Sequence, residues 1–240
     1  EDGFFTANIH QSYNEHNWIL MSKPVLKAVI FDMDGVLIDS EPVWQIAIFE
    51  VMTKLGIKLS MADMLLTTGL RIDQVVEFWY ARSPWQDYNN QQTAQAIVDT
   101  VVSHITRDGE AMQGVLDALR ACQQHKLKIG LATSSSSQII EAVLSRLEIG
   151  NYFDAIESAE SLAYGKPHPE VYLNCAKALN IDPLNCLAIE DSFNGLIAAR
   201  AANMQTIAIP EPQHAALGKW VIAHQQLGSL NDLADFLARY

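Results

Sequence analysis

The chain has 240 residues, of which 49% are hydrophobic and 18% charged, a globular composition with room for one large core plus a smaller inserted unit. Its formal net charge is −12. So acidic a chain repels polyanions, which argues against nucleic acid and anionic membrane surfaces as partners. Any phosphate it binds must be held locally, by a metal, a lysine or backbone N–H groups. The three cysteines, Cys122, Cys175 and Cys186, are too few and too scattered for a disulfide framework or a zinc site, and point to a reducing compartment, the cytoplasm. No segment is long and apolar enough to span a bilayer.

Residues 1–20 contain no Lys or Arg and no long apolar run, so they do not read as a secretory signal. They are expected to be an N-terminal extension loosely tied to the fold, with a natural start at Met21. Val25–Phe31 is a β-branched, apolar run that stops at Asp32 and reads as a buried strand. From Val43 to Ile105 the period is helical throughout, over Val43–Leu55, Ile72–Tyr80 and Thr93–Ile105. Four more apolar runs follow, at Leu127–Ala132, Ala155–Glu157, Cys186–Ile189 and Thr206–Ile209. Helical stripes separate them at Gln138–Leu147, Glu170–Leu179 and Asn194–Ala202. This alternation predicts an α/β fold, a Rossmann-like parallel sheet covered by helices on both faces. The block at 43–106 then becomes an α-helical cap inserted after the first strand, with the core formed by 21–42 and 107–240. There is no internal repeat.

In such a sheet, ligands bind beyond the carboxyl ends of the strands. Asp32-Met-Asp34-Gly35 follows strand one, Thr133-Ser134-Ser135 strand two, Lys166-Pro167 strand three and Glu190-Asp191-Ser192 strand four. A carboxylate such as Asp32 can attack phosphorus and split hydrolysis into two steps. Attack by an anion on an anion needs neutralisation, which Mg²⁺ supplies through one or two carboxylates. Asp32 and Asp191 suit that task, with Glu190 as a further ligand or an outer-shell partner and a backbone carbonyl near Asp34 completing the set. Lys166 can bind phosphoryl oxygens as a point charge, and Thr133 and Ser134 can hold another oxygen. Asp34 can protonate the leaving oxygen and then deprotonate the attacking water. Each element alone has an ordinary explanation. Asp-x-Asp is common at turns, a Thr-Ser run can cap a helix, Lys-Pro can be a solvated loop, and Glu-Asp-Ser can open a helix. Their occurrence in order, each at a predicted strand end, points to phosphoryl transfer.

These segments resemble the haloacid dehalogenase-like hydrolase superfamily. The resemblance runs from about Lys23 to the end of the chain and rests on Asp32-Met-Asp34-Gly35-Val-Leu-Ile-Asp39-Ser40, Thr133-Ser134, Lys166-Pro167 and Glu190-Asp191-Ser192-Phe-Asn194-Gly195. Within it the chain is most similar to the sugar-phosphate phosphatases and β-phosphoglucomutase-like members. Gly69–Asp73 and Phe78–Arg82 are similar to the bacterial 2-deoxyglucose-6-phosphate, or hexitol, phosphatase group. The resemblance implies Asp32 as nucleophile and Asp34 as acid/base. It implies phosphate binding by Thr133 and Lys166, and Mg²⁺ held by Asp32, Asp191 and the Asp34 backbone, with Glu190 nearby. It further implies a small phosphorylated metabolite as substrate, and the chain is expected to act as a monomer.

A phosphosugar mutase is the alternative. The mutase pattern places a histidine on the first cap segment where this sequence has Trp44. A metabolite-binding regulator is the non-enzymatic reading, but it has no need of both Asp32 and Asp34. Substrate choice must come from the cap, where Arg71 and Glu41 are candidates to face the site. Trp79 is a third such candidate, although its helical stripe favours a place with Tyr80 in the cap core, and His168 is expected to pack on its loop.

Overall fold

The computed structural model describes residues 25–67 and 70–239, apart from the side chain of Leu65. The expected extension at 1–20 and Gly69 lie outside the described residues. A parallel sheet is formed by β1 (Ala28–Phe31), β2 (Lys128–Thr133), β3 (Ala155–Ser158), β4 (Cys186–Glu190), β5 (Gln205–Ala208) and β6 (Gln225–Gln226). The strand order is β3-β2-β1-β4-β5-β6, with β1 inside and the order reversing around it. All four residues of β1 are buried, as expected of a strand covered on both faces.

The pleat sends alternate residues to two cores. Val29 and Phe31 of β1, with Ile129, Leu131, Leu187 and Ile189, face α4 (Val115–Gln124) and α5 (Ser137–Arg146). Ala28 and Ile30 face α6 (Glu170–Leu179) and α7 (Phe193–Ala201), where Tyr172, Cys175 and Ala198 close the second core. Phe31 is level with Leu131 on one side and Ile189 on the other. The next residue on each strand, Asp32, Ala132 and Glu190, therefore ends at one height. That register gathers the chemistry at the carboxyl edge.

Between β1 and α4 lie α1 (Glu41–Lys54), a 3₁₀ turn at Met61–Thr67, α2 (Ile72–Arg82) and α3 (Asn90–Asp108). This is the cap in the α/β-plus-cap architecture. The inward faces of these helices carry Ala47, Ile48, Val51 and Met52, then Val75, Val76 and Trp79, then Ile97, Val98, Val101 and Ile105. Trp79 is buried in this packing, as the sequence predicts. The two chain passages joining helices to sheet run side by side. Asp39 N–H donates to Glu110 O at 3.1 Å, Met112 N–H donates to Leu37 O at 3.0 Å, and Ile38 bridges Ala111.

The five expected strands and six expected helical stripes all form, with ends shifted by up to three residues. Three elements go beyond those expectations. The short β6 is two glutamines with no apolar pattern, pairing along the edge of β5. Helix α4 starts after Gly114, which adopts φ +89° and offers no capping side chain. Helix α8 (Leu233–Arg239) packs against α4 and is only seven residues long. Among the described residues no helix is long and apolar enough to cross a membrane.

Candidate active site

Asp32 is the first residue past β1, and its amide donates to Ile189 O at 2.9 Å. The chain then turns sharply on Gly35, at φ +74°. Glycine is needed there twice over, because a Cβ at position 35 would also run into the Asp191 carboxylate. The turn brings Asp34 back over the sheet edge. Asp34 Oδ1 accepts from Ser40 Oγ at 2.6 Å and Trp44 Nε1 at 3.1 Å. Asp34 Oδ2 accepts from Ser135 Oγ at 2.7 Å and faces Thr133 Oγ1 at 3.5 Å. Thr133, the last residue of β2, is buried and accepts the Ser135 amide at 3.0 Å. Ser134 sits half-buried between them.

Lys166 arrives from the loop after β3. Its ammonium donates to Asp32 Oδ1 at 2.5 Å, Glu190 Oε1 at 2.7 Å and Ala132 O at 3.0 Å. Glu190 is fully buried at the end of β4. Its Oε1 also accepts from Tyr172 Oη at 2.6 Å, and its Oε2 accepts from Ser192 N–H at 3.2 Å and Ser192 Oγ at 2.9 Å. Ser192 Oγ in turn accepts from Gly195 N–H at 3.0 Å and so caps α7. A Cβ at Gly195 would run into the Glu190 carboxylate. Gly195→Ala is therefore expected to destabilise the protein by about 1–3 kcal/mol through overpacking, read as a melting temperature several degrees lower. An unchanged melt would mean that the β4–α7 turn relaxes freely.

Asp32, Glu190 and Asp191 each offer a carboxylate oxygen within 4.8 Å of the others. Burial is the main reason that Asp32 is pushed up to about 8, with Lys166 opposing and Glu190 and Asp34 adding to the rise. Burial likewise raises Asp191 well above the usual carboxylate range, reinforced by Asp32 and Glu190. Burial works against the Lys166 charge, yet Asp32 and Glu190 outweigh it and hold the ammonium well above its ordinary value. One ammonium stands beside two buried carboxyls and the half-buried Asp191, more acidic groups than a single cation can balance, and the donors are all hard oxygens. That set fits a divalent cation such as Mg²⁺.

The cap candidates are placed differently. Arg71 grips Asp73 with two bonds, at 2.6 and 2.7 Å, and its Nη1 donates to Leu162 O at 3.1 Å. It thus reaches from the start of α2 to the loop that carries Lys166. Glu41 opens α1, half-buried, beside Ser40, and accepts from Gln45 Nε2 at 3.0 Å. His168 packs on its loop, against Tyr164 and 3.6 Å from Glu170. Sequence reasoning missed Ser40, Trp44, Ser135, Tyr172 and Ser192 as partners of the site. Ser135 was visible only as part of a serine run that also suits a helix start. Tyr172 was hidden in the apolar stripe of α6. The three cysteines are buried, and burial pushes Cys122 and Cys186 up to about 12 and Cys175 higher still, which leaves them poor nucleophiles.

Comparison with known proteins agrees with this geometry. Hexitol phosphatase B from Escherichia coli (strain K12) is 44% identical over 215 residues, covering 89% of this chain and 97% of that protein. The crystal structure of β-phosphoglucomutase from Clostridium difficile superposes with a TM-score of 0.76 at 27% identity, covering 90% of this chain and 96% of the other. CbbY from Rhodobacter sphaeroides, in complex with phosphate, shares the fold, with a TM-score of 0.77 at 23% identity over 87% of this chain and 96% of that one. The haloacid dehalogenase-like hydrolase family matches residues 29–209, a span that contains Asp32, Asp34, Thr133, Lys166, Glu190 and Asp191. The chain belongs to the haloacid dehalogenase-like hydrolase family.

Proposed function

We propose that this protein is a Mg²⁺-dependent phosphatase that hydrolyses small sugar or sugar-alcohol phosphates through an aspartyl-phosphate on Asp32. The observation that carries the reading is the convergence of Asp32, Asp34, Thr133 and Lys166 beside an acidic cluster at one sheet edge. The relatedness to hexitol phosphatase B supports the substrate class.

Asp32 attacks phosphorus, and the bond from phosphorus to the sugar oxygen breaks. That oxygen takes a proton from Asp34. Asp34 then accepts a proton from water as the water attacks the phosphoryl group. The bond to Asp32 breaks and inorganic phosphate leaves. Lys166 stands against Asp32 and neutralises charge as the phosphoryl group arrives. Thr133 and Ser134 hold a phosphoryl oxygen. Asp32, Asp191 and the Asp34 carbonyl would hold Mg²⁺, which would supply positive charge to offset that of the phosphoryl group. Glu190 acts from behind, since its oxygens already engage Lys166, Tyr172 and Ser192. The cap, residues 43–106 in our reading, closes over the site and excludes bulk water, with Arg71 and Glu41 toward the substrate.

Phosphate release measured across hexitol, hexose and pentose phosphates and phosphopeptides, with Mg²⁺, tests the reading. Release from the sugar and polyol phosphates and none from the peptides is expected. Isomer formation without phosphate release would make the protein a mutase, and no turnover of any sugar phosphate would discard the reading. Asp34→Asn should lower kcat on a polyol phosphate by about 10²–10⁴-fold, because an amide cannot deliver the proton. On 4-nitrophenyl phosphate, whose leaving group needs no proton, the first step should be much less affected. Equal first-step rates in wild type and variant on the polyol phosphate would remove Asp34 as the acid.

A further inference from the structure

Asp34 is held from two sides, and the two sides differ in kind. Three of its four partners, Ser40, Ser135 and Thr133, are hydroxyls. A hydroxyl rotates, and it accepts as readily as it donates. The fourth partner is the indole of Trp44, at 3.1 Å from Oδ1. An indole N–H donates and does nothing else. The main-chain N–H of Trp44 donates to Ser40 O at 2.9 Å in the first turn of α1, and the half-buried ring packs on the main core.

We propose that Trp44 is a positioning residue for the acid/base, fixing Asp34 Oδ1 and leaving Oδ2, beside Thr133 and Ser135, to carry the proton to the leaving oxygen. The proposal rests on Asp34 being the acid/base. A donor-only partner on Oδ1 disfavours a proton there, so the transferable proton sits on the oxygen that faces Thr133, the proposed phosphate ligand. Because Trp44 belongs to α1, Asp34 is correctly turned only while the first cap helix is seated. The mutase pattern has at this point a ring that can exchange a proton, and this chain has one that cannot.

The test compares first-step rates of wild type and Trp44→Phe on a hexitol phosphate and on 4-nitrophenyl phosphate, by rapid quench. Loss of one hydrogen bond to the carboxylate that develops as the proton leaves should slow the hexitol phosphate about ten-fold, and the aryl phosphate less than about three-fold, with KM nearly constant. If Trp44→Phe melts below the assay temperature, replacing Trp44 with 3-benzothienylalanine keeps the bicyclic shape without the N–H and should give the same selective loss. Equal loss on both substrates would mean that Trp44 only supports packing, and no loss on either would mean that the bond does nothing; both overturn the proposal. Asp34→Asn, run on the same pair, separates the two levels. Selective loss there without selective loss at Trp44 defeats only the Trp44 proposal. No selective loss at Asp34 defeats the acid/base reading, and the Trp44 proposal with it.

Discussion

Asp32→Asn should abolish phosphate release, by at least about 10⁴-fold, while leaving a folded protein that melts no lower than wild type. The amide keeps the shape of the side chain but cannot attack phosphorus. The stability half of the expectation follows from the site. Asp32 is buried beside Glu190, Asp191 and Asp34, and its desolvation outweighs the attraction of Lys166. An amide in its place has no charge to desolvate and adds no repulsion toward the neighbouring carboxyls at any pH, while Lys166 keeps its bond to Glu190. Phosphate release and a thermal melt on the same preparation check both halves. Wild-type hydrolysis by a folded variant would remove Asp32 as the nucleophile.

The second large effect is loss of metal. Turnover should vanish in excess EDTA and return with Mg²⁺, while Ca²⁺ should bind without restoring it. Ca²⁺ takes more oxygens at longer distance and can occupy both oxygens of Asp32. The melt should respond with a definite sign. A carboxyl raised in the folded state from 3.8 to about 8 keeps its proton over that window, whereas the unfolded chain has released it. Metal-free stability therefore falls as pH rises between these limits. Mg²⁺ should oppose that fall, adding about 2.7 kcal/mol at a hundred-fold excess over its dissociation constant, or roughly 5–10 °C in melting temperature. The gain should shrink toward pH 5, where Asp32 holds a proton that the cation must displace. Turnover at full rate in EDTA, or a melt that ignores Mg²⁺ at pH 8, would take the cation out of the mechanism.

The parts of the molecule legible in the sequence are those where one residue type has one physical use. β1 is an unbroken apolar run ending on an acid, because a central parallel strand is covered on both faces. Lys166 could be placed because it follows the third predicted strand in order with the acidic segments, and the structure sets it, 8% exposed, on Asp32 and Glu190. Trp79 was legible as core from its stripe alone. The partners of the site were not legible, because their polar atoms ride on residues with commoner uses. Tyr172 spends its ring on the second core and its hydroxyl on Glu190. Ser135 and Ser40 look like turn residues until the fold sets both on one carboxylate. Arg71 is a candidate from the sequence to face the substrate, but its protein partners were not legible: three of its five N–H groups engage Asp73 and Leu162. Spacing cannot disclose such a partner ninety-one residues away.

The paired passages at Leu37–Asp39 and Glu110–Met112 bear on how such an enzyme changes over evolutionary time. The main chain leaves the sheet and returns to it at one stapled point, so the excursion between can be any length without stretching β1 or α4. Closing a longer loop costs only a logarithmic increment of entropy, about 0.6 kcal/mol for each doubling. The helices from Glu41 to Asp108 thus form an exchangeable cassette plugged in nine residues after the nucleophile Asp32. A lineage can trade one cassette for another and acquire new substrates while the carboxylates, the lysine and their register stay untouched.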